Sequence, residues 1–456
     1  MAFAVHDDSL KNNTTGFKHS GELQRVLANA TTNPNGKFWS KLEAKPWIAF
    51  LFVGTCLVYC VRVTLPICVA TMAEQFAWDK TQSGIVLGSF FWGYCLTQII
   101  GGHISDRLGG DKILLLSATA WGSVITLTPL IVHWTSTPIT FVTLSRFLMG
   151  LFQGAFYPSL SSLFSNKVRE SDRAFTNSAV CTGSQVGTLI IGAFGSVLLD
   201  WYGWETVFYF SGLPSILWAY CMWKYFLNGE DQIISLESLG NSLMNSRDDK
   251  VAWRKLFKSA PVWGVIVAHV CISGTFFCLL SWMPTFFHDS FPESKGWVFN
   301  VVPWAVAVPF SLFGGILTDH LVKLEFTLFL GFDTAKVRKL MQVIAMGLSS
   351  IFTVLLSYSG SYYQSLMCIS ASLGLQTFSH SGVTVNVQDL APSCAGALFG
   401  VMNTGGALFG VALVYFAGYL IETSGSWPSV FSLISIVNTF GLSIFVIFGQ
   451  ATRVDI

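Results

Sequence analysis

Charge is scarce in this 456-residue sequence. Asp, Glu, Lys and Arg make up 11% of it and hydrophobic residues 52%, where a soluble globular domain carries about 25% charged residues. That balance excludes an ordinary water-soluble domain and reads as a chain that crosses lipid many times. The formal net charge is +1, so no global field steers a partner. There is no basic stripe with interleaved aromatics, which excludes nucleic acid as a partner. The first apolar run starts near Trp47, behind a polar tail, which argues against a cleavable signal peptide. The ten cysteines form no framework: nine lie inside apolar runs and Cys394 in a short loop. Spread in this way they read as small packing residues, with no disulfide, metal or cofactor expected.

What the chain does have is long apolar runs. Twelve are legible, at about 47–67, 82–103, 112–133, 139–164, 176–198, 205–226, 262–287, 297–317, 340–358, 362–387, 395–420 and 427–448. Each is long enough at ~1.5 Å per residue to cross a ~30 Å hydrocarbon core. Gly192, Gly195, Gly400, Gly405, Gly406 and Gly410 offer small faces for close helix packing. The stretch 228–260 is polar and reads as a linker. The organisation expected is a tail (1–46), a six-helix half (47–227), the linker, a second six-helix half (261–449) and a short tail (450–456). Of the 26 Lys and Arg residues, 22 fall in the tails and the even-to-odd loops, and only Lys80 and Lys295 fall in loops of the other face. The positive-inside rule therefore predicts both termini in the cytosol. The sequons at Asn13 and Asn29 lie in the predicted cytosolic tail and are not expected to carry glycans.

The halves repeat one motif. Gly102-His103-Ile104-Ser105-Asp106-Arg107 follows the second run, and Gly315-Ile316-Leu317-Thr318-Asp319-His320 follows the eighth, 213 residues later. Two repeated six-helix halves are the design of major facilitator transporters, and the Asp106-Arg107 segment resembles that superfamily's loop signature. An all-α major facilitator fold is the expectation, with Asp106, Arg107 and Asp319 as gating residues.

Two residues break the apolar pattern. Arg62 lies in the first run and Arg146 in the fourth, and no Asp or Glu falls at comparable depth. A cation there costs roughly 3 kcal/mol on insertion scales. Both are expected ~8–12 Å from the lumenal ends of their helices, at matching depth. Guanidinium is the preferred donor fork for phosphate and carboxylate. The pair therefore points to an anion as cargo. Softer polar groups come from the second half: His269, His380, Asn386 and Asp389, the last expected at the cytosolic rim before Pro392. Tyr94 and Tyr157 are the aromatics placed near the site; most others, such as Trp92, Trp282 and Trp304, read as packing or interfacial belt.

The sequence holds no G-x-x-x-x-G-K-[ST], H-E-x-x-H or G-x-S-x-G element. It is not read as an enzyme, and any transport would be secondary.

Three separated motifs carry a resemblance. Ser89-Phe90-Phe91-Trp92-Gly93-Tyr94-Cys95-Leu96-Thr97-Gln98 resembles the second span of the organic anion carriers of solute carrier family 17. Ser145-Arg146-Phe147-Leu148-Met149-Gly150-Leu151-Phe152-Gln153-Gly154, then Tyr157-Pro158, resembles the fourth. Val385-Asn386-Val387-Gln388-Asp389-Leu390-Ala391-Pro392 resembles the segment after the tenth. Lys295 to Trp304 and Phe448 to Asp455 are similar to the nucleotide-carrying branch. The resemblance implies that Arg62 and Arg146 bind the anion. It also marks departures: Gln153 stands where the glutamate and sialic acid carriers have Glu, Leu87 where the glutamate carriers have His, and Ile272 where they have Arg. Loss of a titrating carboxylate argues against proton coupling through this site.

The expectation is a monomeric carrier that moves nucleotides (ATP, also ADP and GTP) from the cytosol into secretory vesicles or lysosomes. Arg62, Arg146, Gln153, Tyr157, Tyr94, His380 and Asn386 would form the site, and membrane potential would drive transport. The resemblance adds chloride as a modulator. Glutamate, sialic acid, urate or phosphate are alternative cargoes, and an anion channel is the rival of a different class.

Overall fold

A computed structural model describes residues 38–227, 253–292, 296–328 and 333–455. The tail before Phe38, most of the linker (228–252) and part of the segment 295–304 lie outside the described residues or side chains.

All twelve expected spans are helical. The first six are α1 (Lys41–Phe76), α2 (Lys80–Leu108), α3 (Gly110–Trp134), α4 (Pro138–Gly154, then Phe156–Lys167), α5 (Arg173–Ile190, continuing through Ile191–Gly195 and Ser196–Tyr202) and α6 (Trp204–Cys221, continuing through Met222–Phe226). The second six are α7 (Ala260–Ser290), α8 (Gly296–Leu328), α9 (Thr334–Gln342, Val343–Leu348, Ser349–Leu356), α10 (Tyr362–Gln376, Thr377–His380, Val383–Leu390), α11 (Ala395–Ser424) and α12 (Trp427–Phe448). Ten are long and apolar enough to cross a membrane on that ground alone. The sixth is diluted by Trp204, Tyr209, Trp218 and Tyr220, and the tenth is broken. Helices dominate because lipid offers the backbone no hydrogen bonds, so each segment must satisfy its own.

Local signals set the ends. Ser40 and Glu43 cap α1 reciprocally, Glu43 N donating to Ser40 Oγ at 3.3 Å and Ser40 N to Glu43 Oε2 at 2.8 Å. Asp79 and Gln82 do the same for α2 at 2.6 and 3.1 Å. The step from α2 to α3 is the single residue Gly109 at φ 102°, a conformation that L side chains rarely adopt.

Each half has its own core. One cluster joins α1 to α6 around Trp121, Phe156, Phe164 and Trp204. Three others lie among α7 to α12. Within the first half, α2 and α4 meet backbone to backbone: a Cβ on Gly150 would lie 2.0 Å from Phe90 O, and one on Gly93 2.1 Å from Phe147 O. The halves join through α2 on α11 and α5 on α8. Gly400 serves the first of these junctions, with Gln98 O at 2.4 Å from its Cβ position. Gly192 is a correction: it lies in the π-helical turn of α5 with nothing within 4 Å, so it serves no close packing.

Candidate functional site

Arg62 comes from the middle of α1 and Arg146 from the third turn of α4, and they meet. Arg146 Nη2 donates to the Arg62 carbonyl at 3.4 Å. Both guanidinium groups face the Phe90 ring, at 5.0 and 5.2 Å from its centroid. The matched depth expected from sequence is therefore found, and neither side chain reaches out to an interface. Arg146 is 4% exposed. Arg62 has two further aromatic faces, Tyr59 at 4.9 Å and Tyr94 at 4.8 Å. Among the described residues neither arginine has a carboxylate partner. Cation–π contacts at a desolvated site contribute ~2 kcal/mol, which offsets much of the insertion cost while leaving the positive charge uncancelled.

Gln153, about two turns after Arg146 on α4, holds this arrangement. Its Oε1 accepts from Arg62 Nε at 3.3 Å and its Nε2 donates to Val58 O at 3.4 Å. A neutral amide orients the guanidinium without neutralising it; a carboxylate here would form an ion pair.

A cavity of about 160 Å³ lies between the halves. That is below the roughly 300–1,000 Å³ of pockets that enclose small organic ligands, so a nucleotide-sized cargo needs the halves to move apart. Arg62, Tyr94, Tyr157 and His380 line it, as expected. Arg146 and Gln153 do not; they stand behind Arg62 and position it. Asn386 does not belong to the site. It is 1% exposed near the end of α10, where its Nδ2 donates to Gln450 O at 3.0 Å. Sequence reading left out Tyr59, Gln376 and Asn403 and gave His269 no place in the final set, yet all four line the cavity. Ile272 also lines it, so the position where glutamate carriers have Arg is apolar here.

The cavity is sealed on the face where α1 begins and α12 ends. Asp106 at the end of α2 accepts from Gly396 N and Ala397 N at 3.0 and 2.8 Å, capping α11 of the other half. Asp319 on α8 accepts from Ala174 N and Phe175 N at 3.2 and 3.1 Å, capping α5. The repeated motif thus builds two pseudo-symmetric cross-half clasps, because a helix N-terminus attracts a carboxylate. Arg107 makes no such clasp: its Nε is buried without a partner. The unforeseen member of the gate is Asp389. It is 6% exposed, buried rather than at a solvated rim. It accepts from Arg173 Nη1 (α5) at 3.0 Å and Arg338 Nε (α9) at 2.9 Å. The break in α10 frees the His380 carbonyl for Asn177 Nδ2 at 2.6 Å and the Ser381 carbonyl for Arg338 Nη1 at 3.1 Å. A sequence signal existed in the Ser379-His380-Ser381-Gly382 run, which is hostile to a continuous helix.

Two bundles related by a repeated motif, enclosing a cavity, match a known family over most of the chain: the Major Facilitator Superfamily model covers residues 51–414. This chain belongs to the major facilitator superfamily. Within it the chain belongs to solute carrier family 17, being 53% identical to the human "Voltage-gated purine nucleotide uniporter SLC17A9" over 418 residues, 92% of this chain and 94% of that one. The rat protein of the same name is 54% identical, with 92% and 93% covered. The Arabidopsis thaliana "Sodium-dependent phosphate transport protein 1, chloroplastic" is 30% identical, with 87% and 77% covered. Among solved structures, the proton:xylose symporter XylE superposes with a TM-score of 0.70 at 12% identity, covering 91% and 98% of the two chains. FucP in its outward conformation gives 0.64 at 13% identity, covering 88% and 98%. This superfamily member is a multi-pass membrane transporter and not an enzyme.

Proposed function

We propose that this transporter carries purine nucleotides, ATP among them, from the cytosol into the lumen of a secretory vesicle or lysosome. The observation that carries this reading is Arg62: a permanent cation at the wall of a central cavity, held by aromatic faces and an amide, with no carboxylate among the described residues to cancel it. The relatives named as voltage-gated purine nucleotide uniporters support the choice of cargo. The face bearing the chain ends carries most Lys and Arg and is assigned to the cytosol, so the sealed gate separates the cavity from that side. The carrier works as a monomer, its halves rocking about the cavity.

Membrane potential supplies the drive. Each unit of charge gains ~2.3 kcal/mol per 100 mV, so an anion of three to four charges gains about 7–9 kcal/mol. Gln153 removes the titrating group at the arginine pair, so no coupled proton is required there. Chloride is part of this proposal as a modulator of transport.

The test is uptake of labelled ATP by purified protein in proteoliposomes, with the potential set by a potassium gradient and valinomycin. Uptake should rise steeply with an inside-positive potential, ignore an imposed pH gradient at fixed potential, and show trans-stimulation. Potential-independent ATP uptake, or uptake of glutamate, sialate, urate or phosphate in its place, overturns the reading. Ohmic conductance without trans-stimulation would make it a channel. Titrating chloride in the same assay tests its effect.

A further inference from the structure

The fixed positive charge at the cavity belongs entirely to the first half; the second half faces it with uncharged polar and aromatic groups. Central among these is His269 on α7. It is 7% exposed, and neither of its ring nitrogens has a hydrogen-bond partner. The Asn403 amide lies beside the ring: its Nδ2 donates to Tyr94 OH at 3.0 Å and Gln98 Oε1 at 2.6 Å, which leaves only its Oδ1 facing the imidazole as an acceptor. The imidazole is fixed by an edge-to-face contact with Phe399 at 5.6 Å. Gly406 packs against its other side: a Cβ there would lie 3.7 Å from His269 Cδ2. A second orphan stands on the same wall. Gln376 uses its Nε2 on Ser349 Oγ at 3.2 Å, and its buried Oε1 has no partner. Both residues line the cavity, as do Phe276 and Phe277 of α7.

Buried polar groups are almost always satisfied, and each exception asks for a reason. Leaving one unmet costs ~1–3 kcal/mol. Here two such groups, on α7 and α10, face the same space from the side opposite Arg62. We propose that His269, assisted by Gln376, binds the heterocyclic base of the cargo while Arg62 holds its phosphates. This rests on the nucleotide reading above and adds how the uncharged end is recognised. A neutral imidazole offers one donor and one acceptor, and the Gln376 oxygen a further acceptor. The edge of adenine presents an amino donor and a ring-nitrogen acceptor; that of guanine presents a carbonyl acceptor and an N–H donor. His269 meets either by choice of tautomer, so both purine bases fit this wall. The phenyl rings supply the apolar walls that a flat ring system needs. Inorganic phosphate or a small carboxylate would leave this wall unmet.

The experiment compares a cargo with a base and an anion without one, in the proteoliposome assay. The KM for ATP and the inhibition constant of inorganic tripolyphosphate are measured for the wild type, His269→Ala, His269→Gln and Gln376→Ala. Loss of a neutral hydrogen bond corresponds to roughly a 5- to 10-fold change. His269→Ala should raise the ATP KM by about that factor and leave the tripolyphosphate constant unchanged; His269→Gln should recover part of the loss. If His269→Ala fails thermal-stability and gel-filtration checks, His269→Gln and Gln376→Ala must show the same contrast at smaller size. Equal weakening of both anions, or an unchanged ATP KM in every variant, overturns the assignment of the base. Wild-type protein that takes up no ATP overturns the nucleotide reading instead, so the two failures are distinct.

Discussion

Arg146 donates to the main-chain carbonyl of Arg62 at 3.4 Å and stays out of the cavity that Arg62 lines. The two cations are therefore not equivalent: one meets the cargo, the other holds the helix that presents it. Their charges repel, and the shared Phe90 face and the Gln153 amide offset that repulsion.

The inequality gives a first prediction. Arg62→Ala should reduce potential-driven ATP uptake by two orders of magnitude or more, and Arg62→Lys by about tenfold, because a point charge keeps the attraction but loses the fork. Arg146→Lys should keep much of the ATP affinity and lower the maximal rate and the melting temperature. Uptake kinetics with thermal unfolding of the purified variants checks this; equal ATP KM changes for Arg62→Lys and Arg146→Lys would contradict it.

A second prediction concerns Gln153. Gln153→Glu places a carboxylate where Oε1 now accepts from Arg62 Nε at 3.3 Å. The ion pair favours the charged carboxylate, so near neutral pH Arg62 should be neutralised and ATP uptake should fall at least tenfold. Acidification through the carboxylate's titration should restore part of it, giving the variant a pH dependence that the wild type lacks. Uptake at fixed potential from pH 8 down to about pH 3.5, below the ordinary Glu value of ~4.3, is the measurement.

The gate yields a third. Asp389→Asn leaves Arg173 and Arg338 without the carboxylate they share. Removing one member of a buried ion pair costs ~3–5 kcal/mol, and here the cost falls on the state closed at the terminal face. Cys394, 2% exposed beside the Asp106 clasp, is a built-in reporter. In a protein with the other cysteines replaced, its labelling by a membrane-impermeant maleimide from the terminal face should speed up by tenfold or more. Unchanged labelling would remove Asp389 from the gate.

A fourth tests the seam that carries Arg146. Gly150→Val puts carbon atoms where Phe90 O lies 2.0 Å from the Cβ position. Two backbones must separate, and overpacking of this kind costs ~1–3 kcal/mol or more. The melting temperature in detergent should drop by several degrees, and ATP uptake should fall with it because the Phe90 ring carries both arginines. Gly192→Ala, in open space, should change neither.

The sequence by itself determined the helix count, the two halves and the anionic character of the cargo. Spans are legible because a lipid-crossing helix needs a long apolar run, and a cation inside such a run stands out by its cost. Asp106 and Asp319 were found for the same kind of reason, as a motif repeated at half the chain length. Contacts between distant helices were not legible. Nothing local says that Asp389 joins Arg173 and Arg338, that Asn386 turns to the terminal tail, or that Arg146 lies behind Arg62. A helix that is apolar on all sides has no stripe to reveal which face turns inward, so rotation and neighbours are set by packing alone. Only the tertiary structure therefore decided which polar groups share the cavity, and it is there that His269 acquires its meaning.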